Sequence, residues 1–77
     1  MDNGADVDAR DEWGWSPLHG AAWNGHKDVV SLLIQKGADI EGKTNGGESP
    51  LMTAVRNDKR DVAALLLENG ADVNTAD

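Results

Sequence analysis

Apolar residues along this chain fall into two blocks of the same shape. In the first, Leu18, Ala21 and Ala22 precede a break at Asn24-Gly25, and Val29, Val30, Leu32, Leu33 and Ile34 follow it. In the second, Leu51, Ala54 and Val55 precede Asn57-Asp58, and Val62, Leu65, Leu66 and Leu67 follow. Spacings of three and four place such residues on one side of a helix, so each block reads as two helices joined by a short break. Ser16 suits an N-cap, because its hydroxyl can accept from unpaired amides of the first turn. Pro17 then occupies the first helical position, where its fixed φ helps and its missing N–H costs nothing. This helix is predicted to run to about Asn24, with Gly25 as its left-handed C-terminal residue. The next is predicted from about Lys27 to Gln35, ended by Gly37. It is apolar over much of its circumference, as expected of a helix packed on both sides. The second block predicts helices at Ser49–Asn57 and Lys59–Glu68. Asp58 stands where the first block has Gly25, and a non-glycine is costlier in a left-handed conformation. Trp13-Gly14-Trp15 and Asn45-Gly46-Gly47, just before the two serines, suit tight reverse turns or short hairpins.

The two blocks are copies. Gly4-Ala5-Asp6-Val7-Asp8 returns as Gly37-Ala38-Asp39-Ile40-Glu41 and again as Gly70-Ala71-Asp72-Val73-Asn74, at intervals of 33 residues. Aligning residues 4–36 with 37–69 without a gap gives 13 identities in 33 positions. The chain therefore divides into the tail of one unit (1–10), a first repeat (11–43) and a second repeat (44–76), with Asp77 opening a further one. The Ser-Pro-Leu-His turn, Ala-Ala, Asn-Gly-His, Val-Val, Leu-Leu and Gly-Ala-Asp, spaced within a 33-residue unit, resemble the ankyrin repeat. The resemblance covers residues 4 to 77. It implies an all-α solenoid of two helix-turn-helix units with intervening β-turn or hairpin loops. It also implies a module for protein–protein interaction, with a concave surface of turn tips and first helices. Departures from the family pattern are Ser16 and Ser49 for threonine, Met52 for histidine, Gly20 for a larger residue, and Asp58 for glycine.

Composition narrows the function. The chain has 77 residues, no cysteine, and 14 acidic against 7 basic residues, for a net charge of −7. Such a balance repels duplex phosphate and anionic membranes, so neither nucleic acid nor membrane is expected as a partner. The longest apolar run, Val62 to Leu67, is far short of the roughly 20 residues that span a bilayer. The start Met1-Asp2-Asn3-Gly4 lacks a signal-peptide pattern. Without cysteine there is no disulfide or thiolate metal site, which suits an intracellular setting, cytoplasmic or nuclear.

One motif invites a catalytic reading. Gly37-Ala38-Asp39-Ile40-Glu41-Gly42-Lys43-Thr44 matches G-x-x-x-x-G-K-[ST] letter for letter. A phosphate loop, however, follows a strand and opens a helix, so that free amides converge on the anion. Here a helix precedes, turn residues follow, and Asp39 and Glu41 would repel phosphate. No nucleotide or other cofactor is expected. His19 lies in the Ser-Pro-Leu-His turn, where the resemblance implies a structural imidazole, and Met52 is its counterpart. His26 opens a helix and is matched by Lys59. Neither histidine sits with a nucleophile and carboxylate in a triad. The chain is not expected to be an enzyme.

Trp13, Trp15 and Trp23 behave differently from the repeat. Core positions such as Leu18/Leu51, Val29/Val62, Leu32/Leu65 and Leu33/Leu66 stay apolar, whereas the tryptophans align with Gly46, Glu48 and Arg56. Positions that accept glutamate or arginine are wet, and tryptophan is the residue most enriched at binding hot spots. The expected partner-binding surface is Trp13, Trp15 and Trp23, flanked by Glu12 and Asn24 and continued by Asn45, Glu48, Arg56 and Asn57. The partner would be a protein or peptide, with basic groups favoured by the acidic charge. Alternatively, the tryptophans cover the open side of the first unit in place of a cap. Asn74 resembles the asparagine that hydroxylases modify in ankyrin arrays, although asparagine also suits this turn for its own sake. About three stacked units are usually needed for stability. The last helix, with Val62, Leu65 and Leu66, is expected to lack a cover. The chain is then either a structural piece of a longer array, natural, truncated or designed, or it self-associates through its exposed ends.

Overall fold

The computed structural model describes residues 7–76, so the first Gly-Ala-Asp copy at 4–6 and Asp77 lie outside the described residues. Four α-helices form among the described residues: α1 (Pro17–Asn24), α2 (Lys27–Gln35), α3 (Pro50–Arg56) and α4 (Arg60–Glu68). A 3₁₀ turn follows at Val73–Ala76. No strand forms among the described residues. The architecture is the expected all-α pair of helix-turn-helix units. The predicted ends of α3 and α4 prove to be caps: Ser49 and Asn57 flank α3, and Lys59 precedes α4.

Local chemistry sets these boundaries. Ser16 and Ser49 are extended N-caps whose hydroxyls accept from the backbone N–H of His19 and Met52. At α1 the bond is reciprocated, since the Ser16 N–H donates to His19 Nδ1 at 3.3 Å, closing a capping box. Met52 cannot return that bond. Helices α2 and α4 have no side-chain cap, but Asp28 and Asp61 sit in their first turns, where the helix dipole favours a carboxylate. Gly25 ends α1 with φ 71°, and Asp58 takes the same left-handed place after α3 with φ 58°. Gly37 and Gly70, at φ 93° and 96°, end α2 and α4. There Ala38 and Ala71 donate back to the carbonyls of Leu33 and Leu66, as a helix-ending αL glycine allows.

Within each unit the two helices pack against each other, and between units α1 meets α3 while α2 meets α4. Leu18, Ala21, Ala22, Val30, Leu33, Leu51, Ala54, Val62, Leu66 and Ala71 form one continuous core. Two expectations about packing need correction. Helix α2 is not covered on both sides, because Val29 and Leu32 remain 43% and 46% exposed. Nor is the inner row of the last helix bare: Val62 and Leu66 are buried and Leu65 is half-buried. The large apolar residues left exposed at that end, among the described residues, are Val55, Leu67 and Val73.

The loops before α1 and α3 also repeat. Gly14 N–H donates to the Asp11 carbonyl, Gly47 N–H to that of Thr44, and a second bond (Asp11 N–H to Trp15 O, Thr44 N–H to Glu48 O) closes each hairpin-shaped turn. Gly20, in the middle of α1, is a different kind of glycine. A methyl group there would meet nothing within 4 Å. Gly20→Ala is therefore expected to stabilise the fold by about 1 kcal/mol through helix propensity alone, read as a higher urea midpoint. An unchanged or lower midpoint would mean that the site is not the open helix position described.

Candidate partner-binding surface

The turn tips and first helices place the three tryptophans on the surface, but not as one cluster. Trp15 is half-buried and makes edge-to-face contacts with His19 and Trp23, with ring centroids 5.5 and 5.9 Å apart. Trp23, the penultimate residue of α1, is 51% exposed. Trp13 is 61% exposed at the tip of its turn, and among the described residues its ring stacks on neither of the others. The aromatic surface is thus a Trp15–Trp23 pair with a separate Trp13 beyond it.

The polar members divide by their duties. Asn45 bridges the units: its N–H donates to the Trp13 carbonyl at 2.9 Å and its Nδ2 to the Glu12 carbonyl at 3.0 Å. Asn24 and Asn57 donate Nδ2 to the carbonyls of Gly20 and Thr53, four residues back in their own helices. Glu48 accepts from the Thr53 hydroxyl at 2.6 Å and from Arg56 at 3.4 Å. The Arg56 side chain remains 67% exposed. Glu12 is exposed beside Trp13. Trp13, Trp15, Trp23, Glu12 and Arg56 therefore offer side chains outward, while the asparagines and Glu48 chiefly hold the scaffold beneath them. Asn74 stands exposed in the closing 3₁₀ turn, its backbone N–H on the Asp72 carboxylate.

Two residues that the sequence reading did not single out position this surface. One Asp11 carboxylate oxygen accepts from the N–H groups of both Trp13 and Trp15 at 2.9 Å. Thr44 does the same with its hydroxyl for Gly46 and Glu48. The signal was available, since Asp and Thr at one repeat position are both turn-formers that bond their own backbone. Arg10 reaches from the tail loop to the carbonyls of Gly14 at 3.0 Å and Lys43 at 2.8 Å, tying the loops of successive units.

His19 underlies the pair. It is fully buried, and because the Ser16 N–H must donate to Nδ1, the ring proton sits on Nε2 and donates to the Glu48 carbonyl at 2.8 Å. Burial, opposed by that backbone bond, lowers its pKa below the ordinary 6.5. A group lowered in the fold contributes stability that is present above 6.5 and lost as pH falls through the folded value. The urea midpoint should therefore drop between pH 7 and pH 5 more steeply than in His19→Met, which copies the second repeat. Parallel slopes would show that His19 is not the titrating group.

The Gly37–Thr44 segment has no phosphate-loop geometry: a helix precedes it, the Asp39 N–H donates to the Asp8 carboxylate and the Glu41 carboxylate accepts from the Asp72 N–H in neighbouring loops, and the Asp39 carboxylate accepts from the Glu41 N–H within the segment. No helix is long and apolar enough to cross a membrane among the described residues.

These paired helices, repeated turns and stacked loops define a helical repeat module. The family model for ankyrin repeats, three copies, matches residues 1–77, and the chain belongs to that family. It is 49% identical over 35 residues to the mouse (Mus musculus) 2-5A-dependent ribonuclease, covering 44% of this chain and 5% of that protein. It is 51% identical over 35 residues to human (Homo sapiens) Ankyrin repeat and SAM domain-containing protein 1A, covering 46% of this chain and 3% of that protein. The chain thus spans a small fraction of the relatives that it matches. Ankyrin repeats are generally protein–protein interaction modules and typically non-catalytic.

Proposed function

We propose that this chain binds a protein or peptide through the Trp15–Trp23 pair, with Trp13 and Arg56 extending the contact, and that it acts by binding alone. The observation that carries this reading is the exposure of Trp13 and Trp23, 61% and 51%, at positions where the other unit has Gly46 and Arg56. The scaffold does not require an indole at either place. Large apolar rings that are left in water, on rigid turns and a helix end, supply contact area at little cost in conformational entropy. Asp11 and Glu12 flank Trp13, and the net charge is −7. A partner segment that carries basic side chains beside an apolar anchor matches that field and is steered towards it.

The test is selection of binders from a displayed library of random peptides, followed by measurement on single variants. Trp23→Ala is expected to weaken the selected peptides by about 30-fold or more, the size of a 2 kcal/mol hot spot. Its melting temperature should stay within about 2 °C of the parent, since surface substitutions change stability little. Binding that survives both Trp23→Ala and Trp13→Ala would sink the proposal. A large fall in melting temperature would instead show that the indoles cover the first unit.

A further inference from the structure

Each unit pairs the residue before its serine cap with a residue near the far end of its first helix. In the first unit the pair is aromatic, with Trp15 edge-to-face on Trp23 and ring centroids 5.9 Å apart. In the second unit the same two positions hold an ion pair, Glu48 Oε1 and Arg56 Nη1 at 3.4 Å. The two pairs are neighbours, because α1 packs on α3 and both Trp15 and Glu48 meet the same imidazole. His19 is edge-to-face with the Trp15 ring and donates Nε2–H to the Glu48 carbonyl at 2.8 Å. The seam between the pairs is internal to the chain, formed by two units that are both present.

The halves of the ion pair are unequally held. Glu48 is fixed: its side chain is only 19% exposed, and Oε2 accepts from the Thr53 hydroxyl at 2.6 Å. Arg56 is loose, with a side chain 67% exposed that reaches Oε1 only at 3.4 Å. Such an exposed contact is worth little and is readily exchanged. Glu48 Oε1 is thus a preset acceptor beside two indoles, and its present donor is a guanidinium that can leave.

We infer that an arginine side chain of the partner takes this seat, its guanidinium on Glu48 Oε1 in place of Arg56 and its plane against the Trp15–Trp23 pair. The seat rests on the binding surface proposed above and names the side chain which that surface reads. Arginine fits better than lysine for two reasons. A guanidinium is the group that Glu48 already accepts, and its planar fork can donate to a carboxylate while lying on an indole face, where a cation is attracted by the ring. Thr53 orients the carboxylate before the partner arrives, so little ordering is left to be done on binding. The displaced Arg56 head turns outward, and its stem stays at the edge of the contact. Glu48 therefore determines specificity as well as holding the scaffold.

The test runs the peptide-library selection on the parent and on Glu48→Gln, which keeps an acceptor for Thr53 but removes the charge. Peptides selected on the parent should carry arginine at one fixed position, and those selected on the variant should not. With one parent peptide, Glu48→Gln should raise Kd by about tenfold, and so should citrulline, the neutral analogue, in place of that arginine. The two changes together should cost little more than either alone, because they remove the same contact. Arg56→Met keeps the stem and removes the rival guanidinium, so it should tighten the parent peptide by about threefold. The citrulline peptide and Arg56→Met keep the test decisive even where Glu48→Gln loses stability. Peptides without a fixed arginine, a citrulline peptide that binds as well as its parent, additive losses, or unchanged or weaker binding to Arg56→Met would each overturn the inference. Peptides that lack arginine yet depend on Trp23 would leave the binding surface standing. Peptides indifferent to both Trp23→Ala and Trp13→Ala would remove that surface, and the seat with it.

Discussion

Gly14→Ala should destabilise the chain by about 3 kcal/mol, and Gly47→Ala, its exact repeat counterpart, by only about 1. Both glycines sit in the left-handed region, at φ 81° and 85°, so both substitutions carry the strain of a Cβ in that conformation. Their surroundings differ. A methyl group at Gly47 meets nothing within 4 Å, whereas at Gly14 it would stand 2.7 Å from both the backbone N and the Oδ1 of Asn45. Backbone cannot swing away as a side-chain end can. Relief of that contact pushes Asn45 off the carbonyls of Trp13 and Glu12 and loosens the loops of the two units from each other. The difference of about 2 kcal/mol, read from urea midpoints of the two variants, thus isolates the contact between repeats from the local turn strain. Equal losses would mean that the units are not joined at this point.

Local chemistry was legible in the sequence because its causes lie within a few residues of their effects. Ser16, Pro17 and Gly25 fix both ends of α1, and Gly37 ends α2 where expected. The cost assigned to Asp58 also has its counterpart in a left-handed backbone at φ 58°. The exposed faces were harder to read. Val29 and Val62 are the same letter in the same motif, yet one is 43% exposed and the other 1%. What separates them is whether another helix pair lies alongside, which no property of the residue records. For the same reason α2 looked like a helix covered on both sides.

The binding surface shows a related limit. Trp13 and Trp15 are neighbours in sequence, but the partner of Trp15 is Trp23, brought to it by the turn and the first two turns of α1. Asn24 and Asn57 recur at one repeat position, and recurrence is the mark of scaffold. Each donates to the carbonyl four residues back, as Asn69 does at the end of α4. Comparison of the repeats separates what builds a unit from what is free to bind, provided it is applied to every residue and not only to the conspicuous ones.

The run Leu65-Leu66-Leu67 puts that separation at its sharpest. Leu66→Ala should cost about 3 kcal/mol, within the 2–5 kcal/mol usual for a buried leucine, because the side chain is fully enclosed in the core that joins α3 and α4. A chain of 77 residues has a total stability of about 4–11 kcal/mol, so this one change removes a large part of it. At an m-value of about 1 kcal/mol/M the urea midpoint should fall by about 3 M, enough to leave a fraction unfolded in buffer. Leu67→Ala, one residue on and 43% exposed, should shift it by less than about 1 M. Loss of stability at Leu67 comparable to that at Leu66 would mean that Leu67 is enclosed like its neighbour and not half in water as described.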